Sequence, residues 1–308
     1  MKEKRKKKFT INEMRRKTKS NEKMTWITSY SYPMAYAAEK AGIDMILVGD
    51  SGGMTELGYD NTSPVSMNEM ITFCKAVRRG APNTFIIGDM PQGSYEVSND
   101  KAIENALRFI KEGGCDAIKL EGGKRVADRI AAIKSAGILV CGHLGLTPQT
   151  TSAFGGYNIQ GKTIQSLEFL YNDIVSIQNL IDFLLIEATP SVAIDYFKAR
   201  GVSNNLPIFG IGAGPNTNGQ LLIIHDILGF YPNFKPRFAK NYYSEESVVK
   251  QSSMLLTVEN CISKFISEVK NQKFPTENYC YQIPKEAEEN IKSAIWKFEK
   301  QDEIANYR

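Results

Sequence analysis

Histidine is scarce in this chain: His143 and His225 are the two present in 308 residues. A three-histidine metal site is therefore impossible. The five cysteines, Cys74, Cys115, Cys141, Cys261 and Cys280, are dispersed and show no CxxC spacing. Such a set argues against a zinc site or a disulfide framework, and for reduced thiols in a cytoplasmic protein. No run of eighteen or more apolar residues occurs, so a transmembrane helix is not expected. The basic N-terminus lacks the apolar stretch and cleavage site of a secretory signal. No aromatic residue interleaves the charges of Lys2 to Lys8 and no recognition motif follows them. That run reads as a solvated tail, and nucleic-acid binding lacks support.

What is present is a chain able to bury a sizeable core, with 42% apolar and 23% charged residues. Strand-like and helix-like segments alternate along most of it. Thr10, with Glu13 three residues on, reads as the capping box of a short helix over Phe9 to Ser20. Strands are expected at 25–28, 45–49, 84–88, 116–120, 138–141, 182–186 and 207–211. Helices are expected between them, with the segment from Gly219 read as helix and the last strand placed near Arg237 to Ala239. A long loop is expected over 142–161. About eight such units point to a closed (β/α)₈ TIM barrel, with an open doubly wound sheet as the alternative. The expected division is a basic N-terminal tail and short helix over 1–24, a catalytic barrel over 25–243 and a C-terminal helical extension over 244–308. In that extension Ala287, Ile291, Ala294, Ile295 and Phe298 fall at helical spacing and need a surface to cover them, in this chain or in a neighbouring subunit.

Four of the strand-like runs end in, or next to, an acid: Asp50, Asp89, Glu121 and Glu187. Their repetition at strand ends predicts four carboxylates converging on one mouth. Each alone has a plainer reading, as a helix cap for Asp50 or Asp89 or as an ordinary exposed strand-end acid for Glu121 or Glu187. Hard oxygen donors without spare histidines suit Mg²⁺, with Asp50, Asp89 and Glu121 as candidate ligands. Lys119 lies two residues before Glu121, on the same side of a strand. Inside a barrel it needs a partner, either a substrate carboxylate or one of the acids. Ser51 can donate to the same anion. Glu187, in a drier position, is a candidate general base. His143 reads equally as a loop brace or a catalytic group. The turn Gly210 to Gly214 is a weak phosphate-binding signal, and glycines there also permit close packing.

The motifs Val48-Gly-Asp-Ser51, Val77-Arg-Arg-Gly-Ala-Pro82, Lys119-Leu-Glu-Gly-Gly123, Cys141-Gly-His-Leu-Gly-Leu-Thr-Pro-Gln149, Phe154-Gly-Gly-Tyr157, Ile211-Gly-Ala-Gly214 and Phe238-Ala-Lys-Asn241 follow in this order. Together they resemble the ketopantoate hydroxymethyltransferase family over roughly residues 8 to 280. The resemblance implies a barrel of the phosphoenolpyruvate/pyruvate type. It also implies transfer of a hydroxymethyl group from 5,10-methylenetetrahydrofolate to 3-methyl-2-oxobutanoate through a Mg²⁺-stabilised enolate, giving 2-dehydropantoate for pantothenate biosynthesis. By matching positions, Asp50, Asp89 and Glu121 hold the metal, Asp50, Ser51, Asp89 and Lys119 contact the oxoacid, and Glu187 accepts the proton. His143 is placed behind these groups. A cytoplasmic homo-oligomer is implied as well. Gly52, Tyr59, Ser31 and Gln92 depart from the family's usual Leu, His, Asp and Phe. Those departures keep open a paralogue working on a different 2-oxoacid, and a non-catalytic barrel remains a third reading.

Overall fold

The computed structural model describes residues 8–154, 156 and 158–306. The tail expected for Lys2 to Lys8 lies, apart from Lys8, outside the described residues. The elements run α1 (Ile11–Lys19), β1 (Met24–Thr28), α2 (Tyr32–Ala41), β2 (Met45–Val48), α3 (Gly52–Thr55), α4 (Met67–Gly80), β3 (Phe85–Asp89), α5 (Asn99–Lys111), β4 (Ala117–Glu121) and α6 (Ala127–Ser135). They continue with β5 (Val140–Gly145), α7 (Ile164–Ile177), β6 (Phe183–Glu187), α8 (Ala193–Ala199), β7 (Ile208–Ile211), β8 (Gly219–Leu222), α9 (Ile224–Leu228), α10 (Met254–Lys270) and α11 (Lys285–Asn306). The eight strands pair in parallel, each with its sequence neighbour, and β1 closes on β8. This is the closed barrel, not the open sheet. Apart from Glu187 at the end of β6, its strand residues are buried, which is why the strands read as largely apolar runs.

Two segments differ from expectation. The last strand is Gly219–Leu222, where helix was expected, and residues 237–239 belong to no strand. Four residues, Gly-Gln-Leu-Leu, are too few to show a period that tells strand from helix. The fifth strand runs on to Gly145, so Gly142 and His143 lie in the barrel wall instead of a loop. Gly145 has φ 88°, and a Cβ there would stand 2.1 Å from the Glu187 carbonyl oxygen. The glycine marks close strand contact, not a turn.

The barrel floor is aromatic. Trp26, Phe85, Phe183 and Phe209 meet edge-on with centroids 5.1 to 6.4 Å apart. Below it, Asp44, Asp116, Asp182 and Asn218 stand immediately before the four even-numbered strands. Their side-chain oxygens accept the backbone N–H of Thr25 (3.0 Å), Ile86 (2.9 Å), Val140 (3.0 Å) and Ile208 (2.8 Å) in the preceding odd strands. The basic helix α1 then covers this end. Arg15 reaches Asp182 at 3.1 Å, Lys17 reaches Asp44 at 3.5 Å, and Lys8 pairs with Asp116. Met14 is fully buried and Phe9 packs edge-on against Phe85. Thr10 caps α1 by accepting the Glu13 N–H, but Glu13 turns to Arg16, so the reciprocal half of the box is not formed.

At the other end of the chain, α10 packs along α2 and α11 lies over α8 and α7. Ile291 is fully buried, and the Phe298 ring meets Tyr196 edge-on (5.8 Å) and the Arg200 guanidinium (4.8 Å). The apolar stripe of α11 thus packs on its own barrel, with Ile291 buried and Ala287, Ala294, Ile295 and Phe298 half-buried. Among the described residues no helix is long and apolar enough to cross a membrane.

Candidate active site

The C-terminal ends of the strands open into one cavity. Asp50, Ser51, Asp89, Lys119, Glu121, His143 and Glu187 all line it. Every site residue expected from the sequence is therefore in the same place. The parallel register sets their height: Asp89 pairs with Lys119, Glu121 with His143, and Gly145 with Glu187.

Lys119 is 3% exposed. Its Nζ lies 2.6 Å from Asp89 Oδ1 and 3.6 Å from Glu121 Oε1. Burial alone would favour the neutral amine, but Asp89, then Glu121 and Asp50, hold the ammonium charged and its pKa above the ordinary lysine value. Burial pushes all three carboxyls in the other sense, above their usual range, against the pull of Lys119. Asp50 and Asp89 are not helix caps. The Asp50 N–H donates to Asp89 Oδ2 at 3.2 Å, and Asp50 Oδ2 accepts from the Gln149 side-chain amide at 2.9 Å.

Gln149, to which the sequence reading assigns no role, connects the group. Its side-chain amide also donates to the Met90 carbonyl (2.9 Å), its backbone N–H donates to Glu121 Oε2 (3.0 Å), and its Oε1 accepts from the Tyr95 hydroxyl (2.7 Å). It is the last residue of the nine-residue motif from Cys141, which was the signal for it. His143 stands between two acids. Nδ1 is 3.1 Å from Glu121 Oε1, and Nε2 is 3.1 Å from Glu187 Oε2, though the second contact is not aligned as a hydrogen bond. Burial, with Lys119 beside it, lowers the His143 pKa and keeps the ring neutral. Glu187 thus stands across the barrel from Asp50 but only two strands from Glu121. Ala188 directly after it has φ 50°, an uncommon conformation for a residue with a Cβ.

Gly52, one of the positions where a departure is expected, is closely surrounded. A Cβ at Gly52 would fall 2.6 Å from the Tyr30 ring, so that ring occupies the space a larger residue would take. The Tyr30 hydroxyl meets Ser51 Oγ at 2.8 Å and Thr28 Oγ1 at 2.9 Å, on the cavity wall. In the glycine-rich turn, Gly212 lies against Phe238 and Tyr281, so glycine there allows close packing.

The donor set suits a hard divalent cation. Three buried carboxylates face a single ammonium in Lys119, and oxygen donors match Mg²⁺. They are gathered into one cavity without being drawn onto one point: among the described residues no three His, Cys, Asp or Glu side chains are arranged to hold an ion.

An eight-stranded parallel barrel with carboxylates gathered at the C-terminal ends of its strands defines the (β/α)₈ barrel class, in which that face is where sites are built. Solved structures agree on the fold. The chain superposes on oxaloacetate acetylhydrolase with a TM-score of 0.55 at 12% identity, covering 86% of this chain and 98% of that one. For phosphonopyruvate hydrolase the TM-score is 0.54 at 15% identity, over 71% and 83%. The family model described as ketopantoate hydroxymethyltransferase matches residues 8–277. A relative from Alkaliphilus metalliredigens, named 3-methyl-2-oxobutanoate hydroxymethyltransferase, is 44% identical over 90% of this chain and 94% of its own. One of the same name from Kosmotoga olearia is 46% identical over 84% and 92%. The chain belongs to the ketopantoate hydroxymethyltransferase family.

Proposed function

We propose that the protein transfers the one-carbon unit of 5,10-methylenetetrahydrofolate to 3-methyl-2-oxobutanoate, consuming water and giving 2-dehydropantoate and tetrahydrofolate. The observation that carries this reading is the buried Lys119 ammonium, at 2.6 Å from Asp89, in the same cavity as Glu187. A cationic anchor and a separate carboxylate base are what an oxoacid that must lose a C3 proton requires. The names of the relatives supply the substrate.

In this reading the oxoacid sits against Asp50, Ser51, Asp89 and Lys119. Asp50, Asp89 and Glu121 would hold Mg²⁺, and the ion, when bound, would supply Lewis-acid polarisation of the keto group. Lys119 keeps positive charge beside the oxygen on which negative charge develops. The Glu187 carboxylate accepts the C3 proton, and the C3 carbon then bonds to the one-carbon unit as its two C–N bonds to the folate are broken. Water supplies the new oxygen and the two protons taken up by the folate nitrogens, and the proton on Glu187 goes to the new hydroxyl. Neutral His143, 3.1 Å from Glu187, limits where that carboxylate points. Gln149 holds Asp50 by its amide. Assembly as a homo-oligomer in the cytoplasm belongs to the same reading and rests on the family.

Glu187→Gln keeps the shape and removes the base. It should abolish exchange of the oxoacid's C3 proton in deuterated water, followed by NMR. Exchange at the parental rate would exclude Glu187 as the proton acceptor.

A further inference from the structure

Two buried polar groups on the cavity wall take no part in the chemistry above. Asp226, in α9 just after β8, is 7% exposed, and its Oδ2 has no hydrogen-bond partner among the described residues. Thr62 is 2% exposed and its Oγ1 is likewise unpartnered among them. Both line the cavity that holds Lys119 and Glu187. A buried carboxylate without donors is costly, and a fold that keeps one has a use for it. Burial raises the Asp226 pKa to about 7, with Lys235 acting in the opposite sense.

The wall beside it is aromatic. Tyr231, Phe234 and Phe238 line the same cavity, and Phe234 is 60% exposed. A buried carboxylate in a cavity also lined by aromatic side chains fits a flat heterocycle with two adjacent N–H donors along one edge. Two parallel hydrogen bonds fix the edge and the rings cover the face. The oxoacid has no such edge, because its carboxylate and keto oxygens are acceptors. The pterin of a tetrahydrofolate has one, in its ring N3–H and 2-amino group.

Resting on the folate-dependent transfer proposed above, we infer that Asp226 binds the N3–H and 2-amino edge of the pterin, with Thr62 and the Tyr231 and Phe234 rings forming the rest of that subsite. It lies on the β8 side of the mouth, opposite β4 with Lys119 and Glu121. The one-carbon donor and the oxoacid thus approach from different sides.

The test compares the parent with Asp226→Asn, which keeps one acceptor and loses the charge. The KM for 5,10-methylenetetrahydrofolate should rise roughly 10- to 100-fold, the effect of losing a charge-assisted hydrogen bond. Folate-free C3 exchange of the oxoacid should persist, because it needs no pterin. An unchanged folate KM would overturn the inference, and so would loss of exchange together with folate binding. Absence of exchange in the parent would sink the functional reading instead. Calorimetric binding of tetrahydrofolate to parent and variant would still read the subsite. A second arm needs no variant. Tetrahydropterin with its 2-amino group replaced by methyl should bind the parent at least ~10-fold more weakly than tetrahydropterin itself. Equal binding of the two pterins by the parent would also overturn the inference.

Discussion

Lys119 is surrounded by acids that burial has already made reluctant to ionise. Lys119→Met should leave those carboxylates uncompensated. We expect a loss of ~3–5 kcal/mol in urea unfolding at about pH 7, the usual result of breaking a buried pair. The loss should shrink at about pH 5. Each acid's folded-state pKa is raised, so its neutral form favours the fold, and the stability this contributes is lost as pH rises through that value. Parental stability at both pH values would contradict the charge arrangement described here. Asp226 gives a second test with the same sign. Its folded-state pKa is raised to about 7, so its contribution is full below the unfolded value and is lost as pH climbs through about 7. Asn carries no such dependence. Without ligand, Asp226→Asn should gain on the parent between about pH 4 and pH 8, by up to ~4 kcal/mol for a carboxyl raised from the ordinary aspartate range to about 7. Parallel stability curves would show that Asp226 titrates normally. The strand-end acids and Lys119 were readable from sequence because each follows an apolar run. Gln149 was not, since an uncharged amide carries no electrostatic cue and its partners come from three separate segments. Asp226 carries no such cue, since it follows the short strand β8 by four residues, inside α9.

The elements whose apolar residues recur over three turns or more lie where periodicity places them. Asn99–Lys111 is helical over the expected residues, and Gly42 at φ 89° ends α2 as expected of a glycine there. The short elements are where sequence reading fails. β8 has four residues and borrows its identity from β1 and β7. In β5 the two glycines look like a turn until their strand partners are known. Helix α1 was readable, but its purpose was not. Its Arg15 and Lys17, with Lys8 just before it, pair with Asp182, Asp44 and Asp116, which are dispersed along the chain and meet only at the barrel floor. Met14 is the apolar anchor of that lid. Met14→Ala should cost ~2–5 kcal/mol in urea unfolding. A change below ~0.5 kcal/mol would mean that α1 does not cover the barrel end in solution.

At the scale of the whole molecule, barrel closure is what makes the chemistry possible. Asp50, Asp89, Lys119, Glu121 and Glu187 come from four strands and the loop ends beside them, and only closure sets them around one cavity. The same closure concentrates negative charge there. A divalent cation should therefore stabilise the fold. Mg²⁺ at ~100 times its dissociation constant should add ~2.7 kcal/mol, read as a rise in Tm that EDTA reverses and that Asp89→Asn diminishes. An unchanged Tm in Mg²⁺ would argue against a cation at this mouth.

The most direct test of the proposed function uses the unmodified protein, without folate, in deuterated water containing Mg²⁺ and 3-methyl-2-oxobutanoate. NMR of the C3 proton should show exchange that depends on both protein and metal, establishing enolisation and the oxoacid together. No exchange, from a protein whose Tm still responds to Mg²⁺, would contradict the assignment of this oxoacid and turn attention to the wall at Thr28 and Ser51, which Tyr30 backs.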